Sequence, residues 1–286
     1  MNQFEPQSGI KPTIEKKKHP TEMLMEMLRA QSDEINARLK ESGLEGLLTS
    51  DGALDPSGYK DVYNESELAA DAEVVRKTEV KFSEFYRGQP GVENENDMIR
   101  KWQEGKSRQK SGQMEMAVTV LLSQMLGKDF LVVRTAPYDD YENGVDNLIV
   151  NRATGEVVGA FDEVHGSTRA EEKKEKILKI AKKGGAEIRY GLGFKKKKLK
   201  RAHLENIPVF YLGLEESELD ELNQGLSEND MGKKDKIFRK LLASLVDQQK
   251  ELKEVAQANQ AIPLLVKLKS FGEVLSGLTK IESKTA

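Results

Sequence analysis

Residues 146–165 read DNLIVNRATGEVVGAFDEVH, and the fold turns on them. Alternating and β-branched apolar residues predict one strand over 145–151 and a second over 157–165. Arg152-Ala153-Thr154-Gly155-Glu156 makes the turn, with Gly155 free to take a positive φ. Asp146 opens the first strand, and Asp162-Glu163 closes the second. Antiparallel pairing across the turn therefore brings Asp146 and Glu163 to one edge of the hairpin. Two carboxylates held there repel each other unless a cation lies between them. Mg²⁺ or Mn²⁺, hard ions that prefer oxygen ligands, suit such a place. Strand alternation puts Glu163 and His165 on one face and Asp162 on the other, beside Val158, Ala160 and Val164. Glu163 is thus the better ligand, and Asp162 replaces it only if the strand carries a bulge.

Upstream, residues 113–126 (QMEMAVTVLLSQML) form the most apolar helix of the chain, with Ser111-Gly112 loosening the chain before it. Glu115 shares a face with Val118, Leu122 and Leu126. Two readings stay open: the carboxylate points to a core or ligand, or it answers the dipole of the helix N-terminus. A strand over 129–135 follows, and then an acidic loop over 137–144 with Asp139, Asp140 and Glu142. Downstream of the hairpin, Ser167-Thr168 caps a helix over 170–183, stopped by Gly184-Gly185. A short strand over 186–194, the basic run KKKKLKR at 195–201 and a buried strand over 207–214 complete the region.

This order of elements resembles the PD-(D/E)xK, or restriction-endonuclease-like, nuclease superfamily. The likeness covers roughly residues 113–214 and rests on Glu115, on Asp146 within Gly144-Val145-Asp146-Asn147, and on Glu163-Val164-His165. The resemblance implies an α/β fold: a small mixed sheet flanked by helices, with added N- and C-terminal helical segments. It implies that Asp146 and Glu163 hold a divalent metal, Mg²⁺ or Mn²⁺, that Glu115 joins the shell, and that Val164 offers its main-chain carbonyl. His165 stands where the family has a lysine that orients the attacking water. A histidine with a free pKa of about 6.5 carries a conditional charge there. Lys173 or Lys174, on the following helix, is the alternative source of that cation. A degenerate site that binds without cutting is the other reading of the missing lysine.

Lys195, Lys196, Lys197, Lys198, Lys200 and Arg201 follow Lys182, Lys183 and Arg189, and lysines near phosphates give salt-sensitive, sequence-independent affinity. Only Tyr190 and Phe194 accompany the run, which favours backbone contact over base stacking. A solvated lysine-rich loop is the alternative reading. The expected partner is nucleic acid, DNA first, hydrolysed at its phosphodiester bonds. A catalytically inactive nucleic-acid-binding module and a helical scaffold or adaptor on the same fold are the alternatives.

The remaining sequence is read as a flexible tail over 1–20, a helical region over 21–110, the core over 111–215 and a helical region over 216–286. The terminal helices carry apolar faces that suit packing, a second copy of the chain or a protein partner. The chain has 286 residues with 33% charged and no cysteine, which excludes disulfides and thiol chemistry. Three histidines argue against a histidine-rich metal site. No apolar run reaches membrane-spanning length and the first residues lack a signal-peptide core, so a cytoplasmic protein without membrane contact is expected.

Overall fold

The computed structural model describes residues 18–40, 43–195 and 198–282. Its main sheet has four strands: β1 (Phe130–Arg134), β2 (Asn147–Asn151), β3 (Val157–His165) and β6 (Val209–Leu214), in the order β1-β2-β3-β6. β1, β2 and β3 form an antiparallel meander. Their β-branched and aromatic residues are buried, as strands covered by helices require. The hairpin turn is built as expected. Gly155 takes φ +67°. Asn151 Oδ1 accepts from the Ala153 and Thr154 amides at 2.9 and 3.1 Å, an Asx turn. A register shift between Ile149 and Val150 marks a bulge in the β2–β3 pairing.

β3 and β6 run parallel, with Asp162 opposite Tyr211 and Val164 opposite Gly213. A parallel pair needs a long crossover. Here it is helix α5 (Ser167–Lys182) followed by a hairpin of β4 (Ala186–Lys195) and β5 (Lys198–Ile207), which pair only with each other as a second sheet. β5 is a correction to the sequence reading, which saw only a basic run between two strands. Its apolar residues Leu199, Ala202, Leu204 and Ile207 are sparse and out of strict alternation among charged neighbours, which hides the strand.

Helix α4 (Lys110–Leu126) packs on β1 and β3, and α5 packs on β3 and β6. Ser111 and Gly112 lie inside α4 rather than before it. Gly112 is needed for contact: a Cβ there would stand 2.3 Å from the Lys106 carbonyl oxygen of the preceding helix. That helix, α3 (Glu95–Arg108), pairs with α2 (Glu65–Ser83), while α1 (Pro20–Lys40) lies along α4. After the sheet come α6 (Glu216–Ser227), α7 (Met231–Ala258) and α8 (Ile262–Glu282). α6 falls in a stretch that reads only as acidic; a reciprocal capping box between Glu215 and Glu218 starts it. Phe161, Phe210 and Phe271 bring β3, β6 and α8 together at centroid separations of 4.3 to 6.1 Å. One apolar core runs from Leu24 in α1 to Leu275 in α8, so the terminal helices share the core of the sheet. Among the described residues no helix is long and apolar enough to cross a membrane.

Candidate active site at the carboxylate cluster

The edge of the meander brings the two hairpin acids together. The Asp146 amide donates to the Phe161 carbonyl at 2.8 Å, which extends the ladder one residue beyond β2. In return, Asp146 Oδ2 accepts the Glu163 amide at 2.7 Å. Asn147 Nδ2 donates to Glu163 Oε1 at 2.8 Å, and Thr119 of α4 donates to Asn147 Oδ1 at 3.0 Å. Glu163 Oε2 is buried without a hydrogen-bond partner, and so is Asp162 Oδ2. Asp146 and Glu163 are each only 8% exposed.

Glu115, one turn before Thr119, is held by cations. Arg134 Nη2 lies 3.4 Å and Lys106 Nζ 3.6 Å from its Oε2. Arg134 also reaches Asp51 at 2.9 Å, and Lys106 also reaches Asp140 at 3.4 Å. Asp162, on the opposite side of β3 from Glu163, forms a short ion pair with Lys173 of α5.

Burial pushes the Asp146 carboxyl well above its usual range, and Glu163, Asp140, Glu115 and Asp162 add to the shift. Glu163 is pushed up to about 8 by burial; hydrogen bonds with Asp146 and Asn147 oppose the shift, and Glu115 and Asp162 add to it. The pair therefore holds a proton near neutrality in the absence of another cation. Lys106 and Lys173 behave in the opposite way. Burial acts to lower their ammonium pKa values, but the surrounding acids, led by Asp140 and Asp162 respectively, outweigh it and raise them.

Of the two lysines expected on α5, Lys173 reaches the cluster, whereas Lys174 turns away to Glu251 at 3.1 Å. One turn after Lys173, Lys176 also points inward. Its Nζ occupies the space over Gly144, where a Cβ would come within 1.9 Å of it. Gly144 has φ +62° and closes the π-helical turn Asp139–Asn143 that carries Asp140. His165 ends β3 with Nε2 buried and unpartnered, and among the described residues it makes no hydrogen bond to either carboxylate.

The basic run divides. Lys195 closes β4; Lys196 and Lys197 lie outside the described residues; Lys198 and Lys200 are exposed on β5. Arg201 is engaged elsewhere. It donates to the Glu45 carbonyl at 3.0 Å and lies 5.8 Å from the Tyr59 ring centroid, tying the hairpin to the loop after α1.

Lys106, Arg134, Asp140, Asn147 and Lys176 belong to the site but were not singled out in the sequence. Only Asn147, adjacent to Asp146, had a local signal. Among the described residues no three His, Asp or Glu side chains are gathered into a metal cage. Glu115 and Asp162 are drawn towards cations, which leaves Asp146 and Glu163 as the close pair. Two carboxylates with one free buried oxygen fit a hard dication of the kind that completes its shell with water and phosphate. The chain matches no protein-family model, and comparisons with curated proteins and with solved structures find no significant match.

Proposed function

We propose that this chain is a metal-dependent nuclease built on a restriction-endonuclease-like core. The observation that carries the reading is the buried Asp146–Glu163 pair with a free carboxylate oxygen, flanked by Glu115 on Lys106 and Arg134 and by Asp162 on Lys173. The order helix, three strands, helix, strand, with the β4–β5 hairpin inserted before the last strand, and the sheet order β1-β2-β3-β6, with β2 antiparallel to the others, support the same reading.

Asp146, Glu163 and the Val164 carbonyl would hold Mg²⁺ or Mn²⁺, and Glu115 would join them only on leaving its ion pairs with Arg134 and Lys106. Such an ion supplies Lewis acidity towards a phosphate oxygen and lowers the pKa of a bound water. The chain's own groups do the rest. Lys173 stays protonated because Asp162 outweighs the effect of burial, and it supplies a cation from α5 where the motif lysine is absent. Lys106 and Arg134 neutralise charge next to Glu115. Lys198 and Lys200 offer the nucleic-acid backbone an exposed positive edge.

The test is incubation of the purified protein with linear DNA, supercoiled DNA and RNA, in Mg²⁺, Mn²⁺ or EDTA. Cleavage is expected only with the metals. Asp146→Asn should lower it at least a hundredfold, about 3 kcal/mol of transition-state stabilisation. Metal-independent cleavage, or full activity in that variant, overturns the reading. A second reading, a binding module that does not cut, draws on the ion pairs already made by Glu115 and Asp162. It predicts salt-sensitive DNA affinity without cleavage under any metal.

A further inference from the structure

Beside the carboxylate cluster lies a group of aromatic rings that the nuclease chemistry does not use. The end of α2 is inverted in polarity: Ser83 is fully buried, while Phe82 and Phe85 are 46% and 63% exposed. Phe82 stands 5.5 Å from Trp102 of α3 and 6.2 Å from Tyr141, with Trp102 and Tyr141 6.4 Å apart. Phe85 stacks on Tyr86 at 4.1 Å. Large exposed aromatics in contact with one another mark a binding surface more often than a solvated one.

Two links tie these rings to the acids. Tyr141 follows Asp140, whose carboxylate lies 3.4 Å from Lys106. Trp102 and Lys106 are one helical turn apart on the same face of α3, about 6 Å along the axis. Lys106 in turn lies 3.6 Å from Glu115. A phosphate at the carboxylate cluster would therefore have Lys106 beside it, and Trp102 lies about 6 Å along α3 from that lysine.

We infer that Phe82 and Trp102, with Tyr141 beside them, form a stacking platform for an unpaired nucleobase, which makes single-stranded or frayed-end nucleic acid the substrate class of the adjoining acid cluster. The inference rests on the reading that a nucleic-acid strand enters that cluster. It also changes the expectation drawn from the basic run. The aromatics missing around residues 195–201 are supplied by α2 and α3. A base in a duplex has its faces covered by its neighbours, whereas an unpaired base offers a face to a ring.

Trp102 is the only tryptophan, so its fluorescence reports on the platform directly. The full chain in EDTA is titrated with an oligothymidylate, with an abasic oligomer of equal length and charge, and with a blunt duplex. The oligothymidylate should quench Trp102 and bind at least about fivefold more tightly than the abasic oligomer. Phe82→Ala, an exposed change, should remove that difference. Equal quenching and affinity for the base-bearing and abasic strands overturns the inference, as does stronger quenching by the blunt duplex. Quenching by none of them also overturns it and leaves the rings as a surface for a protein partner. No metal is present, so the outcome is separate from that of the cleavage assay. Base-dependent quenching without cleavage keeps the platform and rejects the nuclease, and cleavage without base dependence does the reverse.

Discussion

Two buried acidic clusters lie on either side of the π-helical turn, and they are built differently. Beneath the β4–β5 hairpin, Asp139 is fully buried and accepts the Arg189 and Tyr190 amides at 2.8 and 2.9 Å and the Asn143 side chain at 2.7 Å. Asp71 takes the Arg189 guanidinium in a short pair and the Tyr190 hydroxyl at 2.6 Å. Arg189 lies 4.3 Å from the Tyr63 ring centroid, and the Tyr63 hydroxyl donates to the Arg189 carbonyl at 2.7 Å. Negative charge there is met by directed donors, as structural polar networks require. At the meander edge, Asp146 and Glu163 lie side by side, Glu115 and Asp162 flank them on ion pairs, and Glu163 Oε2 and Asp162 Oδ2 are buried with no donor. One arrangement fastens the hairpin to α2 and the turn. The other keeps carboxyl groups buried with oxygens that no donor meets, and burial raises the pKa values of Asp146 and Glu163.

Substitutions should separate the two. Asp139→Ala leaves two strand amides and Asn143 without their acceptor. The expected cost is about 3 kcal/mol, read as a fall of roughly 10 °C in melting temperature. Asp146→Asn should leave the melting temperature unchanged or raise it above neutral pH, although it removes cleavage. A fall as large as that of Asp139→Ala would make both clusters structural and erase the contrast.

A pH series gives a smaller and more specific effect. Glu163 is raised from 4.5 to about 8 in the folded protein. The folded state then binds the proton more tightly than the unfolded chain does. The resulting stability is complete below about 4.5 and is lost as pH rises through about 8. Melting temperature in EDTA should fall across that window, and Mg²⁺ should restore it at the alkaline end. Asp139 is also raised, by burial, and contributes with the same sign. Glu163→Gln should therefore flatten the curve only in part, while abolishing the Mg²⁺ response; a Mg²⁺ response that survives would place the ion elsewhere.

The smallest effect separates neighbouring lysines. Lys173→Ala should slow cleavage and shift its pH profile, because it removes the cation on Asp162. Lys174→Ala loses an exposed pair with Glu251 and should change stability by less than about 1 kcal/mol and cleavage not at all. Equal losses in rate would show that α5 contributes only general positive charge.

The parts legible in the sequence are those fixed by short-range periodicity. Alternation and Gly155 place the hairpin, and its register alone brings Asp146 to Glu163. The partners of those acids come from afar. Lys106 and Arg134 reach Glu115 because α3 and β1 pack around α4, and Lys176 finds room because Gly144 has no side chain. None of that leaves a local pattern. The aromatic rings escaped for the same reason: Phe82, Trp102 and Tyr141 are neighbours only after α2, α3 and the turn fold together. His165 stands where the resemblance implies a lysine, and a cation comes instead from the next helix, where Lys173 pairs with Asp162.

The β4–β5 excursion leaves the crossover and returns to it at one place, since Ala186 and Ile207 face each other in register. A detour whose ends already meet can lengthen or shorten at its far tip at little cost in chain closure, because the main sheet does not feel its length. The length of this finger can therefore change while the carboxylate edge of the main sheet stays as it is.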